Sequence, residues 1–120
     1  MVKNIEYLLE RGMKMTNQRF NEEVEMQLEI CKTYLCKKGS EYNNTQDRLD
    51  FFKQAAILER TTPAGALAGF MAKHTLSIYN LINEGCSDLA LFEEKITDHI
   101  NYLLLLKCLL EDEIEAHKEV

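Results

Sequence analysis

The stretch Glu94-Lys-Ile-Thr-Asp98-His-Ile-Asn101-Tyr-Leu-Leu-Leu-Leu-Lys-Cys-Leu-Leu110 decides how the chain folds. From Tyr102 to Leu110 it is apolar on every side except at Lys107, and a helix hydrophobic all round is normally a buried one. At about 100° per residue, Glu94, Asp98 and Asn101 fall in one narrow row that Leu105 and Cys108 continue. The row thus runs from leucines into two carboxylates and an amide. Burying ionised carboxylates without partners is costly. A basic side chain, a metal ion or water in a cleft is therefore expected beside Glu94 and Asp98.

The rest of the chain supplies the partners for this helix. With 120 residues it is long enough for a single domain with one core. Residues 3–11 read as a short helix stopped at Gly12. A second helix is expected from Thr16 or Asn17 to Lys38, with Phe20, Val24, Leu28, Cys31 and Leu35 as its apolar stripe and Glu22, Glu25 and Glu29 on another face; Gly39 ends it. Residues 39–45 form a polar loop, and Thr45 caps a third helix over about 46–59. There Arg48, Phe52 and Ala55 share a face.

Thr61-Thr62-Pro63 marks the next boundary, a threonine cap followed by proline at the first helical position. The fourth helix covers about 63–83, with Leu67, Phe70, Met71, Ile78, Leu81 and Ile82 as its stripe and His74 inside it. The small pairs Ala64/Ala68 and Gly65/Gly69 would let another helix approach closely. Gly85 closes it, and Ser87 or Asp88 starts the last helix, about 88–117. No strand alternation or repeat is present. The expected architecture is all-α, an antiparallel helical bundle with four main helices plus a short N-terminal helix, in a single domain over 1–120. The two-sided hydrophobicity of the last helix predicts a dimer that buries its second side.

Composition excludes some functions. A formal net charge of −6 argues against a nucleic-acid backbone as partner, which requires a basic footprint. It fits a protein that binds cations or offers an acidic surface to a basic partner. The four cysteines, Cys31, Cys36, Cys86 and Cys108, form no C-x-x-C pair, which argues against zinc. Without a recognisable signal peptide, they read as buried free thiols of a cytoplasmic protein. The longest apolar run, Tyr102–Leu106, is far below membrane-spanning length, so no membrane association is expected.

The main candidate chemistry lies in two acidic rows, Glu22, Glu25 and Glu29 on the second helix and Glu94 and Asp98 on the last. Carboxylates a helical turn apart on facing helices suit magnesium or manganese, which take several oxygen ligands. The bland readings are a solvated face for the first row and a structural ion pair for the second. Lys38, Arg48, Lys53 and Lys73 are the basic set that could meet a phosphate. Arg48 could bind it bidentately or simply neutralise Asp98, and Lys73 could cover apolar surface with its stem. His74 and His99 lie in apolar stripes and read as hydrogen-bonded core residues. No local pattern supports a Ser/His/Asp or Cys/His nucleophile.

An early Glu22-Glu-Val-Glu25 and a late Glu94-Lys-Ile-Thr-Asp98 in a short acidic helical chain resemble the all-α nucleoside-triphosphate pyrophosphohydrolases, of MazG-like and dimeric dUTPase-like type. Lys38-Gly-Ser-Glu-Tyr42, Asp47-Arg48 and Lys73-His74 also look like small phage-encoded proteins associated with nucleotide metabolism or modification. The late motif here is one residue longer than the family's Glu-x-x-Asp, which still keeps both groups on one helix face. The resemblance implies Mg2+ or Mn2+ held by Glu22, Glu25, Glu94 and Asp98, with Glu25 and Asp98 catalytic. It implies a nucleotide bound by Lys38, Arg48, Lys53, Lys73 and Asn101, and a homodimer. The alternative is a small prophage-type anti-defence protein without catalysis. Such a protein would sequester a nucleotide signal or bind a host protein through its acidic face.

Overall fold

The computed structural model describes residues 14–38 and 47–118. Its regular elements are α1 (Asn17–Lys32), a π-helical segment (Thr33–Lys38), α2 (Asp50–Glu59), α3 (Pro63–Asn83) and α4 (Leu89–Lys118). No strand occurs among the described residues, in line with the all-α reading. The helix expected over 3–11, Gly12 and Gly39, the 39–45 loop and the Thr45 cap lie outside the described residues.

Local chemistry explains most of the helix boundaries. Thr16 Oγ1 accepts the Arg19 N–H at 3.1 Å and so starts α1. The helix continues to Lys38 as expected, but its last six residues widen into a π turn. At that junction the Thr33 hydroxyl donates back to the Glu29 carbonyl at 2.9 Å. Before α2, Asp47 Oδ1 accepts the Leu49 N–H at 2.9 Å, the local turn that aspartate favours. Consequently α2 begins at Asp50, not 46. Arg48 sits in the turn and does not share a helix face with Phe52 and Ala55, which corrects the sequence expectation.

Arg60 ends α2 in the left-handed region (φ 57°), and the Thr61 N–H returns to the Ala56 carbonyl at 3.0 Å. Thr62 Oγ1 then accepts the Gly65 N–H at 3.0 Å, with Pro63 opening α3. Gly85 (φ 73°) closes the α3 end, where the Cys86 N–H bonds to the Leu81 carbonyl at 2.9 Å. Asp88 Oδ1 accepts the Leu91 N–H at 3.1 Å and caps α4.

α3 lies between α2 and α4, while α1 packs on α4. Phe52, Leu67 and Leu109 are the buried centre where α2, α3 and α4 meet, flanked by Phe70, Met71, Tyr102, Leu105 and Leu106. Glu113 Oε1 accepts the Ala64 N–H at 3.1 Å, fastening the start of α3 to the far half of α4. At the near half, Gln27 Nε2 donates to Thr97 Oγ1 at 2.8 Å beside the buried Cys31, which holds α1 in place.

Several expected burials are not found within one chain. Leu103, Leu104, Cys108 and Leu110 are exposed, and only Leu109 of Tyr102–Leu110 is fully buried. The reason is geometric: α1, α2 and α3 cover only part of the circumference of α4. In α1, Phe20, Val24 and Leu28 are exposed because Gln27, Ile30 and Cys31 make the contact with α4. The Gly65/Gly69 row faces no helix. A Cβ at Gly69 would meet open space, and one at Gly65 would meet the Thr61 and Thr62 side chains of its own cap. Of the four thiols only Cys31 is buried, and Cys36 and Cys108 are exposed.

Candidate functional site

The carboxylates of α4 line a groove where α4 meets α1 and the π segment. The groove encloses about 480 Å³ and is walled by Ile30 and Tyr34 on one side and Ala90, Glu93, Glu94, Thr97 and Asp98 on the other. Glu94 and Asp98 are one turn apart, so helical geometry alone aims both into it, as their sequence spacing predicts. Glu94 is exposed and Asp98 half-buried. The expectation of two buried carboxylates in need of compensation is therefore corrected: water reaches both.

One helical turn beyond Asp98, Asn101 is 8% exposed, and its Oδ1 has no hydrogen-bond partner. A buried amide oxygen left unpaired is costly. His99 Nδ1 is likewise buried without a partner, so the hydrogen-bonded core role expected for His99 is not met at that atom. His74 does join the interior, with its ring 4.8 Å from that of Tyr102. Burial raises the Tyr102 phenol above its ordinary pKa, and the negative charge of Asp98 raises it further.

The other candidate residues are dispersed. Glu22 and Glu25 are exposed on α1 and do not line the groove. Gln18 Nε2 donates to Glu22 Oε1 at 3.3 Å. Among the described residues no three His, Cys, Asp or Glu side chains converge to hold a metal ion. The side chain of Lys38 lies outside the described residues. Lys73 is exposed on α3.

Arg48 donates from Nη2 to the Leu35 carbonyl at 3.2 Å. It lines a separate, largely apolar groove of about 390 Å³ with Cys36, Leu104 and Cys108. It forms no ion pair with Asp98. Lys53 Nζ bridges Asp47 at 2.6 Å and Asp112 at 3.1 Å. The Asp47 hydrogen bond, then that of Asp112, raises the Lys53 pKa; the same contact with Lys53, helped by the Leu49 N–H, lowers that of Asp47.

Beside Glu94 and Asp98 the groove is lined by Ile30, Tyr34, Ala90, Glu93 and Thr97, and of these Glu93 and Tyr34 bring a further carboxylate and an aromatic ring. Glu93 was legible in principle, because Thr97 stands one turn beyond it on the same face. Tyr34 was not, because its direction depends on the π segment that carries it.

No family model, curated protein or solved structure matches the chain. No helix among the described residues is long and apolar enough to cross a membrane.

Proposed function

We propose that the chain is a magnesium-dependent, cytoplasmic nucleoside-triphosphate pyrophosphohydrolase-like protein, built as a helical bundle that two copies complete. The observation carrying this reading is that Glu94 and Asp98 face one open groove whose opposite wall holds an aromatic ring, Tyr34. A groove of about 480 Å³ is of the size that small-molecule ligands occupy. Tyr34 offers a flat apolar surface for a base, while the carboxylates mark the polar end.

The donor set fits magnesium in the way that ion is commonly held, through one or two carboxylates with phosphate oxygens and water completing the shell. Glu94 and Asp98 would hold it, and Glu22 and Glu25 would enter the shell only from elsewhere in the assembly. Bound there, the ion would neutralise triphosphate charge and polarise the phosphoryl group. In this reading Asp98 orients a water molecule for attack on phosphorus. The α–β anhydride bond breaks, and nucleoside monophosphate and pyrophosphate leave. Asn101 stands one turn on, with an acceptor available to a donor of the nucleotide or its water shell. Glu25, Lys38, Arg48, Lys53 and Lys73 remain proposed contributors, Arg48 and Lys53 only after giving up their present partners.

A second reading is a binder without catalysis, holding a nucleotide signal or a basic host protein. It is favoured by the exposure of Glu22, Glu25 and Glu29 on α1. Thermal unfolding against a panel of nucleoside triphosphates, each with and without magnesium, separates the two, since ligand binding to the native state raises the midpoint. A shift that needs both nucleotide and magnesium, with pyrophosphate released on incubation, supports the enzyme. A shift with nucleotide alone and no release supports the binder. No shift with any nucleotide overturns the nucleotide reading.

A further inference from the structure

The groove that holds Arg48 shares no residue with the groove of Glu94 and Asp98 and differs from it in chemistry. Leu35 and Cys36 of the π segment, Leu49 just before α2, and Leu104, Leu105 and Cys108 of α4 line it. Thiols pack as small apolar groups, so Arg48 is its one charged lining residue. Leu49 and Leu105 pack on the buried centre of Phe52, Leu67 and Leu109, which gives this lining a firm base. Leu104 is 42% exposed, so part of the apolar surface is open to water.

Arg48 stands at this groove without a counter-charge. Its Nη2 donates to the Leu35 carbonyl at 3.2 Å, and it forms no ion pair among the described residues. The carboxylate beside it in sequence, Asp47, is held by Lys53 at 2.6 Å and by the Leu49 N–H at 2.9 Å. One bond to a carbonyl leaves most of the guanidinium donors unused, and their planar fork matches a carboxylate. A cavity of about 390 Å³ is within the range that small ligands occupy. Such sites are mostly apolar, with a few polar groups that fix the orientation of the ligand.

We propose that this groove binds a free medium-chain alkyl carboxylate, with its chain along Leu35, Leu49, Leu104 and Leu105 and its head on Arg48. The lining decides the chemistry. A triphosphate would meet one cation among apolar side chains, and a cationic amphiphile would meet the like charge of Arg48. The site goes beyond the proposed phosphate chemistry and rests on none of it. Arg48 acts here from its present position, whereas contact with a nucleotide requires it to leave the Leu35 carbonyl.

Cys36 and Cys108 are exposed thiols on the groove lining, so their reactivity reports its occupancy. The full chain is alkylated with iodoacetamide at neutral pH, and each cysteine is followed by peptide mass spectrometry. Saturating decanoate is expected to slow both thiols about fivefold or more, by mass action, while Cys86, which does not line the groove, keeps its rate. Hexanoate, with its shorter chain, should need about tenfold more for the same protection. Arg48→Met should raise the decanoate requirement about tenfold. Unslowed thiols in decanoate, equal protection by decylamine, or an unchanged requirement in Arg48→Met overturns the proposal. Should circular dichroism show that Arg48→Met has lost its helices, decanoate against decylamine on the wild-type chain decides. Protection by a nucleoside triphosphate but not by decanoate would return Arg48 to the nucleotide. Protection that follows protein concentration instead would mean that another chain fills the groove. Either result overturns the second site.

Discussion

Asp98 and Tyr102 sit one turn apart on α4, and each gives a test at the scale of a single side chain. Asp98 is half-buried in the groove and forms no ion pair among the described residues, so its replacement removes a charge without orphaning a partner. Asp98→Asn is therefore expected to change stability by about 0.5 kcal/mol or less, and to lower pyrophosphate release by about a hundredfold or more. Unchanged release in a steady-state assay would remove Asp98 from the chemistry.

Tyr102 tests its surroundings through pH. Its folded pKa is raised, by burial first and Asp98 second. The folded state therefore keeps the phenol proton more tightly than the unfolded chain does. The stabilisation is full below the ordinary tyrosine pKa and is lost as pH climbs through the raised value. Tyr102→Phe should flatten the fall in melting temperature at strongly alkaline pH, and Asp98→Asn should flatten it less. Equal alkaline slopes in wild type and Tyr102→Phe would contradict the assignment.

At the scale of elements, the parts of the fold legible in the sequence are those fixed by local hydrogen bonds. Thr16, Thr62 with Pro63, Gly85 and Asp88 each mark a boundary where the reading of the chain places one. Their chemistry acts within one turn, so no tertiary information is needed. Thr62→Ala should cost about 1 kcal/mol by leaving the Gly65 N–H without its cap. Thr61→Ala should cost less, because the Thr61 side chain accepts no cap bond; chemical denaturation of both variants measures the difference.

What the sequence hid depends on neighbours. An apolar stripe reports that a face is covered but not by what, so Phe20, Val24 and Leu103 read as core and stand exposed in the single chain. Arg48 stands outside the helix that its spacing from Phe52 suggests, because Asp47 captures the Leu49 N–H and delays the helix by a turn. Of the candidate site, Glu94 and Asp98 could be placed together from spacing on one helix. Glu22 and Glu25 could not, since their approach depends on how α1 rotates against α4.

At the scale of the whole molecule, the single chain is long and thinly cored. Its extents are 61 × 29 × 28 Å and its radius of gyration 18.4 Å, against about 14 Å for a compact domain of this length. The buried centre at Phe52, Leu67 and Leu109 ties α2, α3 and α4 together but includes no residue of α1. α1 is held mainly at Cys31 and by the Gln27–Thr97 hydrogen bond, with most of its remaining side chains exposed.

Two cooperative units of unequal stability follow from that division. Thr97→Val keeps the shape of the side chain and removes the acceptor for Gln27. It should speed amide exchange in α1 while leaving α3 at its wild-type rate. Leu67→Ala, at a fully buried site, should cost about 2–5 kcal/mol and speed exchange in α2, α3 and α4 together. Because α1 forms one wall of the acidic groove, loosening it alone should weaken nucleotide binding before the rest of the fold yields. Hydrogen exchange read helix by helix distinguishes this from a single unit, in which Thr97→Val would accelerate every helix equally.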